Sequence, residues 1–162
     1  MGSDVPSRDI GEASEVLSVK TIAIGSKSSW VLEVRPEHLA NHFKDPALPA
    51  VLATPILIMV MENAALDAIR DRLDPGETAV GTRIDIRHLS PTPVGMRVVG
   101  EAVVTAVEGR RVVFHVSAVD ESGQIGAGVH ERLILDMQRI TDELEAKRRA
   151  RAYLQRVVGE TA

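Results

Sequence analysis

The chain has no cysteine, which excludes a disulfide framework, a thiolate metal site and a cysteine nucleophile. Aromatic residues are almost as scarce: Trp30, Phe43, Phe114 and Tyr153 make up 2% of the sequence. That is too few for a protein that reads nucleic acid by stacking bases. Positive charge is not in excess either, since 19 basic against 23 acidic side chains give a net charge of −4. No overall field draws a nucleic-acid partner. Long hydrophobic runs are also missing. The longest, Ile56 to Met61, falls far short of the ~20 residues that span a bilayer. The start, Met1-Gly-Ser-Asp-Val-Pro6, lacks the basic region and apolar stretch of a secretion signal. Pro6 also stands where a myristoylation signal wants serine or threonine. These absences predict a cytoplasmic protein with neither a membrane nor a nucleic-acid partner.

What remains is a globular composition, 44% apolar and 26% charged over 162 residues, which suits one compact domain. Residues 1–15 are polar and are expected to be flexible. Two apolar pieces follow, Val16–Ile24 and Trp30–Val34, and Gly25 to Ser29 between them reads as a hairpin turn. Pro36, Pro46, Pro49 and Pro55 put half of the eight prolines into one short connection, the pattern of an ordered functional loop or lid. A helix is expected from Pro55 to Leu73, stopped by Asp74-Pro75-Gly76. From Glu77 to Asp136 a period of two, broken at Ser90–Gly95, Glu108-Gly109 and Glu121–Gly123, predicts four strands, the last three joined by hairpins. Thr141–Val158 reads as a final helix, acidic early and basic late, which fits the helix dipole and a solvated face. A phosphate-binding patch is the sharper alternative for that basic end.

Two residues stand out from this frame. Thr54-Pro55 is a good helix start, with threonine able to cap the free amides. The run after it is apolar on every side, so the helix is expected to be wrapped by a sheet. Glu62 ends that run, and burying a carboxylate costs several kcal/mol unless it is paired. It either marks where the helix emerges into solvent, pairs with a nearby arginine, or carries a function. On Thr78–Leu89, alternation puts Val80, Thr82, Ile84, Ile86 and His88 on one face and Gly81, Arg83, Asp85 and Arg87 on the other. His88 then meets the same helix–sheet layer as Glu62. A carboxylate and an imidazole across an apolar layer make an acid/base or nucleophile/base pair, against the plainer alternative of a satisfied core histidine.

Other candidates rank lower. His115 reads as a structural or surface residue. His130 and Arg132 share a strand face while Glu131 points the opposite way, so His-Glu is no metal pair, and no other ligand spacing is present. Gly126 and Gly128 mark a close backbone approach or a bulge.

The lid, buried helix and following antiparallel strands carry Leu52-Ala-Thr-Pro, Met61-Glu-Asn-Ala, Val80-Gly-Thr, His88-Leu-Ser-Pro-Thr-Pro-Val-Gly, Val107-Glu-Gly-Arg-Arg and Gly128-Val-His-Glu-Arg. Together these resemble the fluoroacetyl-CoA thioesterase-like branch of the hotdog acyl-CoA thioesterases. The resemblance covers about residues 16–138 and leaves 139–162 as an added basic helix. It implies an α+β hotdog fold, an antiparallel sheet wrapped around a central buried helix. It also implies hydrolysis of an acyl-CoA thioester without a metal or other cofactor. Thr54, Glu62 and His88 match the branch's catalytic set, Gly81 its glycine near the thioester, and Arg132 its active-site arginine. Enzymes of this kind are homodimers or larger, with sites at the subunit interface. The fluoroacetyl specialist has an aromatic-rich lid. Asp45 to Leu52 carry no aromatic here, which points to a different short or medium acyl group.

With these residues, a thioester near Gly81 is attacked by Glu62 directly or by water activated by a Glu62–His88 pair. Amides at the helix start stabilise the oxyanion. Thr54 and Glu62 lie about 12 Å apart along one straight helix. Either Thr54 folds back from the preceding loop or the site combines two chains, and the two-chain site is favoured. The rival functions are a non-catalytic acyl-CoA-binding hotdog module and a hotdog hydratase. Leu39 stands where the hydratase motif around Asn41-His42 wants an aspartate.

Overall fold

The computed structural model describes residues 21–159. The expected flexible segment 1–15 and most of the expected Val16–Ile24 strand lie outside that range. Ile24 and Gly25 form a turn, and Gly25 donates to the Val104 carbonyl at 2.8 Å. Strand β1 then runs Lys27–Glu33. Lys27, Ser28 and Ser29, expected to belong to the hairpin turn, therefore begin a strand instead. Antiparallel pairing with Val98 to Val103 outweighs the turn preference of the Gly-Ser-Lys-Ser-Ser composition.

A 3-10 turn at Pro36–His38 and the short helix α1, Ala40–Phe43, form the proline-rich connection. It is fastened by an antiparallel bridge between Leu39 and Leu52 and by Leu52 N–H donating to the Thr92 carbonyl at 2.8 Å. Helix α2 runs Thr54–Asp67. It ends before the expected Leu73 because the chain tightens into a 3-10 turn at Arg70–Arg72. The four long strands are β2 Glu77–His88, β3 Arg97–Glu108, β4 Arg111–Asp120 and β5 Gly123–Asp136. All pairings are antiparallel in one five-stranded sheet of order β1-β3-β4-β5-β2. Helix α3, Met137–Gly159, continues from β5 without a loop, several residues earlier than its expected start.

The sheet curls around α2. Leu57, Val60, Met61, Ala64 and Ala65 are fully buried against its inner face, together with Val98, Ala102, Val112, Phe114 and Val116. Glycines set the closeness of that contact. A Cβ at Gly100 would lie 3.0 Å from the Val60 carbonyl oxygen, and one at Gly126 would lie 3.0 Å from Leu57 Cδ2 and Met61 Cε. Replacing either with a larger residue would push the helix off the sheet. The side of α2 turned away from the sheet is different. Ile58, Met59, Glu62 and Asn63 are only half-buried.

Strand β2 departs from simple alternation. Its pairing with β5 slips between Gly81 and Arg83, leaving Thr82 as the extra residue of a bulge. Before the bulge, Ala79 and Gly81 face the helix; after it, Ile84, Ile86 and His88 do, opposite His130, Gly128 and Gly126. The face expected to hold Val80 and Thr82 with His88 is corrected accordingly. One inserted residue reverses the phase of a period-two pattern, and it brings Gly81 onto the same face as His88.

Candidate active site

Thr54 is the first helical residue of α2, and Ala53 is the N-cap, with no side chain bonding the free amides. The expected capping role of Thr54 is therefore not the one it plays. A cap of this kind is worth about 1 kcal/mol. The Thr54 hydroxyl instead lies 3.0 Å from His88 Nδ1. Ile56 and Leu57 donate to the Ala53 carbonyl at 2.9 and 3.1 Å, and Pro55 has no N–H. Among the described residues, Thr54 is thus the one residue of the first turn whose amide finds no acceptor, where several free amides were expected.

His88 closes β2 and turns into the layer between sheet and helix. Its Nε2 is buried and has no partner among the described residues. Burial pulls its pKa below the usual 6.5, partly offset by a hydrogen bond to the Ser90 backbone. It is consequently a neutral imidazole at pH 7, able to accept a proton.

Glu62 lies two turns along α2 from Thr54. Eight residues advance ~12 Å and rotate ~80°, so Thr54, Ile58 and Glu62 line one side of the helix, with the two polar groups at opposite ends. Its carboxylate, 38% exposed, lies 3.7 Å from His130 Nε2 and rests over Gly81. A Cβ on Gly81 would overlap Glu62 Oε1 and come within 3.1 Å of His130 Cε1. Arg132, which pairs with Gly81 across the strands, donates from Nη1 to the Glu62 carbonyl at 3.2 Å and from Nη2 to the Ala79 carbonyl at 2.6 Å. Its guanidinium is buried but keeps its charge.

The five residues expected from sequence thus fall into two groups. Thr54 and His88 meet; Glu62, Gly81 and Arg132 meet; no hydrogen bond or ion pair joins the groups among the described residues. Sequence reasoning gave His130 no role, yet it is fully buried beside Glu62. The available signal was its sharing of a strand face with Arg132. His115 is exposed on the outer face, and Glu131 also points outward, accepting from Arg111 and Arg83. No group of three His, Asp or Glu side chains among the described residues is placed to hold a metal ion, and no helix among them is long and apolar enough to cross a membrane.

A curled antiparallel sheet wrapped around one central helix is the hotdog fold. Solved structures agree. The fluoroacetyl-CoA thioesterase FlK superposes with a TM-score of 0.75 at 31% identity, over 78% of this chain and 98% of that one. A thioesterase superfamily member from Thermus thermophilus superposes with a TM-score of 0.75 at 30% identity, over 82% and 98%. Residues 34–138 match the FlK family, described as fluoroacetyl-CoA-specific thioesterase, and the chain belongs to that family of thioester hydrolases. A fluoroacetyl-CoA thioesterase of Streptantibioticus cattleyicolor is 37% identical over 129 residues, 76% of this chain and 93% of that protein.

Proposed function

We propose that this chain hydrolyses acyl-CoA thioesters with a short or medium acyl group. Each site takes Thr54 and His88 from one subunit of a homodimer and Glu62, Gly81 and Arg132 from the other. The observation that carries this reading is the Thr54–His88 contact at 3.0 Å. A helix-start hydroxyl gives up capping to hold a neutral imidazole beside a free amide. Thr54 begins the helix itself, so it cannot fold back from the loop towards Glu62. The half-exposed face of α2 with Ile58 and Met59 and the edge of β2, which has no further strand beside it among the described residues, are both surfaces that a second copy would cover.

In the reaction, the thioester carbonyl carbon lies between the two groups. The free Thr54 amide donates a hydrogen bond to the developing oxyanion. Glu62 either attacks the carbon, giving a mixed anhydride that water then opens, or takes the proton of a water that attacks directly. In the water route the proton taken by Glu62 is passed through His88 to the departing CoA thiolate; in the anhydride route CoA departs as the thiolate and the proton is released through His88 when water opens the anhydride. The products are the free acid and CoA. Asp45 to Leu52 contain no aromatic residue, and Phe43 is 51% exposed. The lid therefore lacks an aromatic plug over the acyl group, which supports a substrate other than fluoroacetyl-CoA.

The test is thiol release from a panel of acyl-CoAs by the wild type, Glu62→Ala and His88→Ala. The reading expects turnover by the wild type and its loss in both variants. Unchanged hydrolysis in both would remove the site, and no hydrolysis of any acyl-CoA by the wild type would make the chain a binding module. Single turnover in ¹⁸O-water tests the anhydride route, because label enters Glu62 when water opens the anhydride at the Glu62 carbonyl and never when water attacks the thioester directly.

A further inference from the structure

We propose that His130 is a positioning residue of this site, whose Nε2 lone pair holds the Arg132 guanidinium beneath Glu62 and keeps it from closing onto the carboxylate. The inference rests on the site reading above and adds a residue to it.

The hydrogen bonds fix the state of the imidazole. His130 Nδ1 lies 2.8 Å from the Arg83 carbonyl oxygen, which can only accept, so Nδ1 carries a proton. Its Nε2 lies 3.2 Å from Arg132 Nη1, which can only donate, so Nε2 presents a lone pair. The ring is fully buried and stacked against Phe114, with centroids 6.1 Å apart. Around it stand Glu62 and Arg132 on the inner side, while Glu131 and the Arg83 side chain lie on the outer side of the sheet. Burial, with the cation of Arg132 adding to it, keeps the ring neutral.

This arrangement has a consequence for Glu62. The 3.7 Å from Nε2 to Glu62 Oε1 is too long for a hydrogen bond, and no proton lies between these two atoms. His130 is therefore not the acid partner of the carboxylate. Its effect passes through Arg132, whose protein acceptors are the Glu62 and Ala79 carbonyls and the His130 lone pair. All three are neutral. The guanidinium charge is left free to act on substrate and on the reacting oxygens. Without the lone pair, Nη1 is released and a direct Arg–carboxylate pair with Glu62 becomes the better arrangement. That would tie up the attacking group.

Three variants separate the roles of the ring. His130→Gln offers a carbonyl oxygen near the Nε2 position, His130→Asn keeps a donor for Arg83 but is too short to reach Arg132, and His130→Phe keeps the ring volume alone. The expected result for acyl-CoA hydrolysis is a kcat loss of about 10²-fold in Asn and Phe, with KM little changed and about tenfold recovered in Gln. A packing role would make Gln and Asn fall together with melting temperature. Equal kcat in Gln and Asn, or three unaffected variants beside an inactive Glu62→Ala, would overturn the role of His130 and leave the site reading standing. Absence of any hydrolysis by the wild type would overturn the site reading itself. Nitrogen NMR on ¹⁵N-histidine-labelled protein gives a readout independent of turnover. A neutral Nδ1–H tautomer is expected at pH 7, and an Nε2–H tautomer or an imidazolium would refute the proposal.

Discussion

The two ends of α2 solve opposite problems. At the start, Thr54 and His88 form a neutral pair beside an unengaged amide, an arrangement that receives charge as it develops. Two turns later, Glu62 brings a formal charge to the surface above Gly81, with a buried cation held on neutral acceptors below it. In the proposed reaction one end stabilises developing negative charge and relays protons, and the other supplies the attack. A single helix cannot bend them together across ~12 Å, and in the proposed homodimer a second copy opposes the unlike ends.

The largest effect should come from removing the charged end. Glu62→Gln is expected to lower kcat by about 10³-fold or more, as read by thiol release. The fold should be undisturbed because the side chain is partly exposed. The sharpest challenge to the pairing of unlike ends is complementation. Co-expressed Glu62→Ala and His88→Ala chains should recover about a quarter of wild-type activity if each site draws on two subunits, since half of the dimers are hybrids with one intact site of two. No recovery would place both ends of each site in one chain.

Gly81→Ala comes next. Its new methyl group displaces a flexible carboxylate rather than backbone. A loss of about 10–10²-fold in kcat is expected with nearly unchanged melting temperature. At the neutral end, Thr54→Val should cost about tenfold and Thr54→Ser much less, because one neutral hydrogen bond is at stake. Stability should also change little with Val, since the hydroxyl caps nothing.

The smallest effect is on stability against pH. His88 and His130 are both held below 6.5 in the folded chain, chiefly by burial. Below 6.5 the unfolded chain binds more protons than the folded one. Their contribution is complete above 6.5 and is lost as pH falls through the lowered values. Urea unfolding between pH 5 and 7.5 should show this rise, and His130→Gln should flatten part of it.

Much of this was legible in the sequence. An apolar run with no polar side had to lie inside a sheet, and period two with glycine-marked breaks gave the four long strands. The carboxylate at the end of that run and the histidine at the end of β2 were recognisable as chemically costly where they stood. What pattern could not supply was phase. The Thr82 bulge has no strong local signature, so Gly81 and His88 were assigned to opposite faces. Lys27 to Ser29 read as turn because their strand character comes from pairing with β3, a partner some seventy residues on. His130 escaped notice for a related reason. Its role depends on a carbonyl of β2 and on a guanidinium two residues along, not on any motif around it.

The bulge also constrains how this protein can vary in length. Downstream of Gly81, the inward or outward aim of every β2 side chain is a matter of odd or even count from a fixed point. Loss of Thr82 itself would remove the one unpaired residue and leave Gly81 and His88 on the same inward face, whereas loss of a single paired residue between Arg83 and Arg87 would turn His88 towards solvent unless the strand slipped to compensate. The histidine's address is therefore arithmetical: the loops on either side of β2 can change freely and Thr82 can come or go, but the number of paired residues from Arg83 to His88 sets which way the imidazole points.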